Sequence, residues 1–360
     1  MNDYFQNVVS QEVAKGQASF YLDNYQKTNV LPHILLTAGK GIGKTHFAKE
    51  IGRNLTPFEA NKKPMRIINC STIKNVKSFF NDIVLKFVVN QEATLFFDEA
   101  HNLPKDVQET MLTIMEPNTN NYNEWIWEDA VIEFDFRRVS FILATTDVQK
   151  LKDPLIDRCR RISLENYSAD ELEKIVLIKS PDIGFEDGVM DQIKNVFRGN
   201  ARNAVGIAND INSHCAAKGD NYFGHDDWDK IQYQVGYFPL GLLSEEVKAL
   251  DILYGKTKPC SLTNLASKLM QSRDVVQKNI EAFLQYHDLM EIGAGGRSIT
   301  VKGRQYIDEL TSWKEARDAY LSEKDRESFE SKAEEPIYAA YLLETVHKDG
   351  RVGPDPPIMR

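Results

Sequence analysis

The feature that most constrains the fold of this chain is a glycine-rich stretch at residues 35–52, LLTAGKGIGKTHFAKEIG. An apolar run precedes the glycines and an amphipathic run follows them, which predicts a strand, a tight loop and a helix. That is the context of a P-loop, in which backbone N–H groups and the helix N-terminus form a cradle for phosphates. We expect Lys44 to reach the β- and γ-phosphates and the Thr45 hydroxyl to bind Mg²⁺. Ala38 stands where the strict motif has its first glycine, which is a mild change. The alternative is a glycine-rich turn without a ligand.

Five short apolar runs alternate with helical patterns in the first part of the chain. Runs spaced by crossover lengths predict buried strands of a parallel sheet with helices on both faces, which is an α/β fold. The runs lie at 33–38, 65–71, 93–99, 139–146 and 160–164. The predicted first domain covers residues 1–165.

Three further segments differ in pattern from this domain. Residues 166–240 have helical patterns without strand signals and predict a small helical domain. Residues 241–310 hold three helical stretches followed by two extended arms around a glycine-rich centre, which is a winged helix-turn-helix pattern. Residues 311–360 are a charged extension, either an ordered helix ending in an interaction peptide or a solubilising tail. Its apolar anchor would be Tyr338, Tyr341, Leu342 and Leu343.

Composition excludes several other classes of protein. Of 360 residues, 42% are hydrophobic and 27% charged, an ordinary composition for a chain with substantial buried cores. The four cysteines are far apart and show no metal-ligand spacing, so buried thiols are expected. The net charge of -9 argues against a protein that coats nucleic acid with its whole surface. We find no transmembrane run and no signal-peptide pattern, and we expect a cytoplasmic protein.

Polar residues follow two of the predicted strands. The apolar run TLFF delivers Asp98 and Glu99 at its carboxyl end. Beside a P-loop, the first carboxylate holds Mg²⁺ through water and the second polarises the attacking water. The run VSFILATT ends in Thr145 and Thr146, which are placed to face the γ-phosphate. The alternatives are a common surface Asp-Glu pair and threonines that simply favour a strand end.

The letters DEAH at 98–101 also occur in DEAH-box helicases. That family has two tandem motor cores, and this chain is too short and differently ordered for them. The match is therefore interpreted as a coincidence.

Together these motifs resemble those of AAA+ ATPases. In that comparison ATTD resembles sensor 1, PLIDRC (154–159) carries the arginine-finger position and GNARNAVGIAND (199–210) carries the sensor 2 position. Within AAA+, the chain is similar to RuvB, the motor for branch migration of Holliday junctions, over about residues 4–310. The winged helix ending in GGRSITVKGRQYI discriminates, because most AAA+ proteins have a different C-terminal domain. The resemblance implies an AAA+ P-loop domain, a helical lid and a C-terminal winged helix.

The resemblance also implies ATP and Mg²⁺ as ligands. Thr45 and Asp98 would hold the Mg²⁺. Tyr4, Phe5, Val8 and Val9 fall where such proteins line the adenine pocket, although a core role is an equally good interpretation. The residues expected at the nucleotide are Gly39, Gly41, Ile42, Gly43, Lys44, Thr45, His46, Asp98 and Tyr167.

A hexameric ring with ATP between neighbouring subunits is the assembly that the resemblance implies. Glu99 and Thr146 would act on the attacking water, Arg158 would reach the γ-phosphate of the adjacent subunit, and Arg202 would contact it from the same subunit's lid. Planar guanidinium groups spread positive charge over the phosphate oxygens in the transition state. Without the family, these two arginines would more often be surface or ion-paired residues.

The winged helix is locally basic. Between Lys256 and Arg304 there are eight basic and four acidic residues, a local net charge of +4, which suits phosphate contacts. Arg297 matches the family's DNA-contacting wing arginine, and Lys302 and Arg304 follow it. The alternative is a mixed-charge surface or a protein docking module.

Residues 121–136, NYNEWIWEDAVIEFDF, alternate aromatic and polar residues and predict a β-hairpin. In RuvB an insertion at this place docks on the junction-binding partner RuvA. Trp125, Ile126 and Trp127 would either form an exposed contact for a RuvA-like partner or pack on the protein's own sheet.

The preferred hypothesis is an ATP-hydrolysing, ring-forming DNA motor that drives branch migration or duplex translocation. The first alternative is a clamp-loader-like ATPase that opens a sliding clamp on DNA, and the second is an ATP-binding scaffold. The Asn-rich, aromatic-rich composition is compatible with a divergent phage-encoded relative acting in the bacterial cytoplasm.

Overall fold

The computed structural model describes residues 4–57 and 63–333, and of residues 324–333 the backbone alone. The predicted apolar anchor of the extension, Tyr338 to Leu343, lies outside these residues. The chain divides into two compact units, Met1–Ile183 with Phe197–Asn221, and Gly184–Val196 with Tyr222–Arg360.

The secondary structure follows the order anticipated from the apolar runs. The strands are β1 (Ile34–Thr37), β2 (Met65–Asn69), β3 (Ala93–Asp98), β4 (Tyr122–Trp127), β5 (Ala130–Asp135), β6 (Val139–Thr145), β7 (Arg160–Ser163), β8 (Gly184–Phe185), β9 (Tyr222–Phe223), β10 (Met290–Gly293) and β11 (Gly296–Ile299). The helices are α1 (Glu12–Thr28), α2 (Lys44–Arg53), α3 (Val76–Phe79), α4 (Leu85–Phe87), α5 (Lys105–Ile114), α6 (Asp153–Asp157), α7 (Ala169–Lys179), α8 (Val189–Lys194), α9 (Ala201–Lys218), α10 (His225–Ile231), α11 (Ser244–Tyr254), α12 (Leu262–Leu269), α13 (Arg273–Val275), α14 (Ala282–Tyr286) and α15 (Val301–Ala333).

The first unit is built on a five-stranded sheet with the order β2-β3-β6-β1-β7. All four pairs of neighbours are parallel, so the predicted α/β fold is confirmed. Thr37 pairs with Thr145, and Asn69 pairs with Asp98. Because the strands are parallel, their polar last residues meet at one edge of the sheet, where the P-loop also begins.

Alternate residues of the strands pack into two cores on opposite faces of the sheet. In β3, Leu95 and Phe97 belong to one core, whereas Phe96 belongs to the other. The same alternation holds for Leu143 and Ile142 of β6. Because neither face of these strands contacts solvent, their residues do not alternate between apolar and polar, and each strand is a continuous apolar run.

The predicted hairpin forms from β4 and β5, which pair antiparallel. The two indoles turn inward: the Trp127 ring stacks on Phe80 with 4.4 Å between centroids, and Trp125 lies 5.9 Å from the same ring. Ile126 and Val131 point the other way and are 74% and 59% exposed. The tryptophans therefore pack on the protein's own core, whereas Ile126 is exposed and its contact with a RuvA-like partner stays a prediction.

Helices α7 and α9 of the first unit begin at well-defined caps. The Ser168 hydroxyl accepts from Glu171 N while the Glu171 carboxylate accepts from Ser168 N, a capping box that fixes the start of α7. The Asn200 side chain accepts from Asn203 N and starts α9.

A short parallel pair, β8 with β9, lies within the segment that we expected to lack strands. Each strand has two residues, too few for an alternating pattern to show in the sequence.

The second unit contains the predicted winged helix. The winged helix consists of α11, α12, a helix from α13 to α14 with a π-helical middle, and the antiparallel hairpin β10–β11. Gly296 has φ +124°, and a Cβ there would lie 2.4 Å from Cys260 O, so only glycine fits where the hairpin crosses that backbone. The helix α15 then continues through the extension as far as Ala333.

Candidate nucleotide site and winged-helix surface

The P-loop lies between β1 and α2 and has the backbone that its glycines permit. Gly41 and Gly43 have φ values of +81° and +111°. A Cβ on Gly41 would lie 2.9 Å from Asn200 Oδ1 and 3.2 Å from Arg202 Cβ. The backbone N–H of Arg202 donates to Gly41 O at 3.0 Å. The start of α9 is therefore seated directly on the loop.

Lys44 lies within the loop and is 7% exposed. Its Nζ donates to Ala38 O at 3.1 Å and to Gly39 O at 3.0 Å. Burial lowers the pKa of Lys44, the carboxylates of Glu99 and Asp98 act to raise it, and Arg202 acts to lower it. Ala38 contributes its backbone carbonyl, which is why the missing first glycine does not remove this contact.

Thr45 and Asp98 meet at the first turn of α2. The Thr45 hydroxyl donates to Asp98 Oδ2 at 3.1 Å, and Glu99 N donates to Asp98 Oδ1 at 3.0 Å. A hydroxyl and a carboxylate side by side are oxygen ligands of the kind that Mg²⁺ takes. The structure thus brings together the two residues predicted for the metal.

Glu99 follows β3 with a left-handed backbone, φ +53°. Its Oε2 accepts from the Thr146 hydroxyl at 3.2 Å, which joins the ends of β3 and β6. Thr145 turns elsewhere, to His101 Nδ1 at 3.1 Å. His101 had been given no role from the sequence, and the DEAH letters were the signal that could have singled it out.

One cavity of about 740 Å³ collects most of the predicted nucleotide residues. Its walls include Val8 and Val9, and Tyr167 covers it beside Gly43, where a Cβ would lie 3.8 Å from the tyrosine hydroxyl. Burial raises the pKa of Tyr167. The predicted site residues in its wall are Gly41, Gly43, Lys44, Thr45, His46, Asp98, Glu99, Tyr167 and Arg202.

Several predicted residues lie just outside this wall. Gly39 contributes its carbonyl to Lys44, and Ile42 is buried in the core. Tyr4 and Phe5 are also core residues, and the Phe5 ring stacks on Phe47 with 4.8 Å between centroids. Of the four residues predicted for the adenine pocket, Val9 lines the cavity, Val8 lines it and also belongs to the core, and Tyr4 and Phe5 are core residues.

Arg158 lies away from this cavity. Its guanidinium donates to Pro154 O at 2.9 Å and to the carboxylate of Glu116. The same two ion-paired residues line a separate cavity of about 560 Å³ next to His33. Burial lowers the pKa of His33 to about 4. Within one chain, Arg158 is thus not a member of the nucleotide site.

Arg297 lies in β11, one residue past the glycine pair that flanks the turn of the wing hairpin. The hairpin turns between Gly293 and Gly296, and Arg297 follows in β11 with its side chain turned inward. Its Nε and Nη2 donate to Glu281 Oε1 and Oε2 at 2.7 and 3.1 Å, and the side chains are 13% and 2% exposed. A buried carboxylate needs such a partner, so the guanidinium is engaged within the protein. Its DNA contact stays a prediction.

Lys302 and Arg304 are exposed at the start of α15. The Arg304 guanidinium lies 5.4 Å from the centre of the Tyr254 ring. Of the three residues predicted to contact DNA, these two are the ones that face solvent.

The described residues also bear on metals, thiols and membranes. Within residues 4–57 and 63–333 there is no group of three or more His, Cys, Asp or Glu that could hold a metal ion. All four cysteines are buried thiols, as predicted. In the same part of the chain, no helix has the length and apolarity needed to cross a membrane.

Comparisons with known proteins agree with this geometry. The family model for the ATPase family associated with various cellular activities (AAA) matches residues 34–167, and that for the RuvB C-terminal winged helix domain matches residues 239–308. The Holliday junction branch migration complex subunit RuvB of Mycoplasma genitalium is 27% identical over 313 residues, covering 85% of this chain and 96% of that relative. The RuvB subunit of Ehrlichia ruminantium (strain Gardel) is 25% identical over 292 residues, 80% of this chain and 85% of that relative. The structure of the Thermotoga maritima RuvB Holliday junction branch migration motor matches with a TM-score of 0.66 and 22% identity, covering 83% of this chain and 95% of that one.

The parallel sheet, the P-loop and the carboxylate pair define an ATPase of the AAA+ class. The chain is similar to RuvB-type AAA+ ATPases, because a winged helix of the RuvB type follows the ATPase core and curated RuvB subunits align over most of their length.

Proposed function

We propose that this protein is an ATP-driven motor that moves the arms of Holliday junctions. The observation that carries the proposal is the nucleotide cavity, in whose wall a phosphate-binding lysine, a metal-binding pair and a carboxylate for water activation lie together. The RuvB-type winged helix supports DNA as the substrate. The relatives above are bacterial, and we place the activity in a bacterial cytoplasm, encoded by the host or by a phage.

The site residues divide the work of ATP hydrolysis. The P-loop amides and Lys44 hold the phosphates, and Arg202 approaches them from the start of α9. Thr45 and Asp98 would hold Mg²⁺, which neutralises phosphate charge when bound. Glu99 takes the proton of the attacking water, oriented with help from Thr146.

Arg158 supports a site shared between subunits. It carries a guanidinium, the group suited to a transferring phosphate, yet it lies outside the nucleotide cavity of its own chain. In a hexameric ring it would reach the cavity of the neighbouring subunit. There it would leave Glu116, because the phosphate offers more negative charge than one carboxylate.

DNA contact would come from the winged helix without reading sequence. Lys302 and Arg304 are exposed and basic, and salt-dependent phosphate contacts suit a protein that must move along DNA. The outward face of the β4–β5 hairpin, with Ile126 and Val131, would accept a RuvA-like loading partner.

The test is steady-state ATP hydrolysis by the pure protein with no DNA, linear duplex or a four-way junction. Each arm is run with and without a sliding clamp, and Lys44→Ala is the control. Stimulation by junction or duplex alone supports the motor. Stimulation only with a clamp would move the function to clamp loading, and a wild-type rate equal to that of Lys44→Ala in every arm would contradict an ATPase.

A further inference from the structure

His101 lies between the water-activating carboxylate and the end of β6. It belongs to the 3₁₀ turn Ala100–Asn102 that follows Glu99, and its side chain is 12% exposed. Its Nδ1 is 3.3 Å from Glu99 Oε2 and 3.1 Å from Thr145 Oγ1. One imidazole nitrogen thus faces both a candidate catalytic carboxylate and a hydroxyl of the central sheet.

The Thr145 side of this arrangement is fixed. Thr145 is fully buried, pairs with Thr37 in the sheet, and its hydroxyl oxygen accepts from Asp147 N at 3.0 Å. The Glu99 side is less constrained by its own packing, since that side chain is 39% exposed and its backbone is in the left-handed region. A non-glycine residue in that region needs support from its surroundings.

The two oxygens of the Glu99 carboxylate differ in their contacts. Oε2 faces both the Thr146 hydroxyl, at 3.2 Å, and His101 Nδ1. The hydrogen bond of Nδ1 is made with the Thr145 hydroxyl, and its 3.3 Å approach to Oε2 is a charge contact. A proton on Nδ1, shared between these two oxygens, is the tautomer that favours both contacts. Oε1 has no hydrogen-bond partner among the residues that the structure describes, which leaves that oxygen for a water.

We propose that His101 is a positioning residue for Glu99. Its Nδ1–H, bonded to the Thr145 hydroxyl oxygen and 3.3 Å from Oε2, attracts that carboxylate oxygen, so that Oε1 serves as the proton acceptor in the nucleotide cavity. The proposal rests on the ATPase function proposed above. It assigns His101 no contact with nucleotide and no proton of the reaction.

The activity test compares three substitutions at this position. His101→Ala and His101→Leu remove the donor, and turnover should fall roughly tenfold to a hundredfold, part of what a positioned base contributes. ATP affinity should stay within about twofold, because the lost contact does not touch the nucleotide. His101→Asn keeps an N–H donor at the same branch of the side chain and should restore most of the rate. Asn102→Ala, an exposed neighbour in the same turn, is the matched control and should keep the wild-type rate.

The pair Glu99 and His101 should also be coupled. In the Glu99→Gln background, His101→Ala should cause no further loss, since the group that it positions is already gone. A full additional loss in the double variant would overturn the proposal. So would wild-type turnover in His101→Ala, or equal losses in His101→Ala and His101→Asn.

A crystal structure of His101→Ala without nucleotide tests the positioning directly. We expect the Glu99 carboxylate to leave Thr146 or to occupy several conformers. A single Glu99 conformer still bonded to Thr146 would overturn the role of His101 whether or not the protein hydrolyses ATP. Absence of hydrolysis in the wild-type protein would instead contradict the proposed function, so the two failures are distinguishable.

Discussion

At the scale of single residues, the ion pair between Arg297 and Glu281 changes what a basic residue of the wing can do. The local net charge of +4 was counted along the sequence, where a paired and an exposed arginine look the same. In the fold, Arg297 balances a carboxylate that is 2% exposed, whereas Lys302 and Arg304 face solvent. The effects of removing these charges should therefore differ in kind.

Arg297→Ala should act on stability. Removing one partner of a buried pair leaves the other charge uncompensated and costs about 3–5 kcal/mol. We expect a lower unfolding midpoint for the winged helix, measured by thermal or urea unfolding. Replacing both Arg297 and Glu281 by methionine should recover much of that loss, since no buried charge remains. An unchanged midpoint in Arg297→Ala would show that the ion pair contributes little to the free energy of unfolding.

Lys302→Ala and Arg304→Ala should both weaken DNA binding. Each should reduce the slope of log affinity against log salt concentration by about 1. The unfolding midpoint should stay unchanged in Lys302→Ala, whereas Arg304→Ala also loses the contact of the guanidinium with the Tyr254 ring. The measurement is duplex affinity at several salt concentrations. A slope equal to that of the wild-type protein in both variants would mean that the DNA lies elsewhere on the winged helix.

The P-loop and carboxylate residues of the nucleotide cavity could be located from the sequence because they belong to short contiguous motifs. Lys44 and Thr45 adjoin the glycines that place them, and Asp98 and Glu99 end an apolar strand. The sequence analysis assigned no role to His101 or Glu281, since what they do depends on partners distant in sequence. Thr145 is 44 residues from His101, and Arg297 is 16 residues from Glu281.

At the scale of elements, apolar pattern was enough to locate the five strands of the sheet and the winged helix. The pattern did not tell which face of the β4–β5 hairpin is buried, because Ile126 is apolar like the tryptophans on either side of it. The stacking of Trp127 on Phe80 decides it, and Phe80 lies in a different element. The sequence also did not decide whether residues 311–323 form an ordered helix or a solubilising tail. In the structure they continue α15.

The continuation of α15 packs on the segment that precedes the winged helix. Arg317 Nε donates to Tyr233 O at 3.0 Å, and the Trp313 ring lies 5.1 Å from Phe238 and 5.5 Å from Tyr233. The RuvB winged-helix match ends at residue 308, before these contacts begin. The extension therefore fastens residues 233–238 to the winged helix.

Trp313→Ala with Arg317→Ala should loosen that segment. We expect faster hydrogen exchange at the backbone amides of Tyr237 and Gly241, whose bonds to Gln232 O and Phe238 O are local. The exposed Asp318→Ala on the same helix is the control. Exchange at the wild-type rate in the double variant would show that the contacts do not hold the segment.

At the scale of the whole molecule, the proposed ATP hydrolysis depends on neighbouring chains. Each chain carries a nucleotide cavity and, apart from it, an arginine of the kind that a phosphate cleft uses. Sequence alone suggested a ring through family resemblance. The position of Arg158 beside Glu116 adds a physical reason, since within one chain this arginine is not part of the site.

Arg158→Ala should abolish turnover while ATP binding is retained. Mixing Arg158→Ala subunits with Lys44→Ala subunits should restore part of the activity, because some interfaces then join an intact P-loop to an intact arginine. ATPase rates across mixing ratios measure this. Mixtures no more active than either variant alone would contradict a shared site, as would full turnover by Arg158→Ala.

Branch migration of a synthetic four-way junction with labelled arms is the direct test of the proposed motor. It is followed as strand separation in the presence of ATP, with a RuvA-type protein supplied as loader. We expect ATP-dependent conversion by the wild-type protein and none by Lys44→Ala or Glu99→Gln. Robust ATP hydrolysis without any movement of the junction would contradict a branch-migration motor.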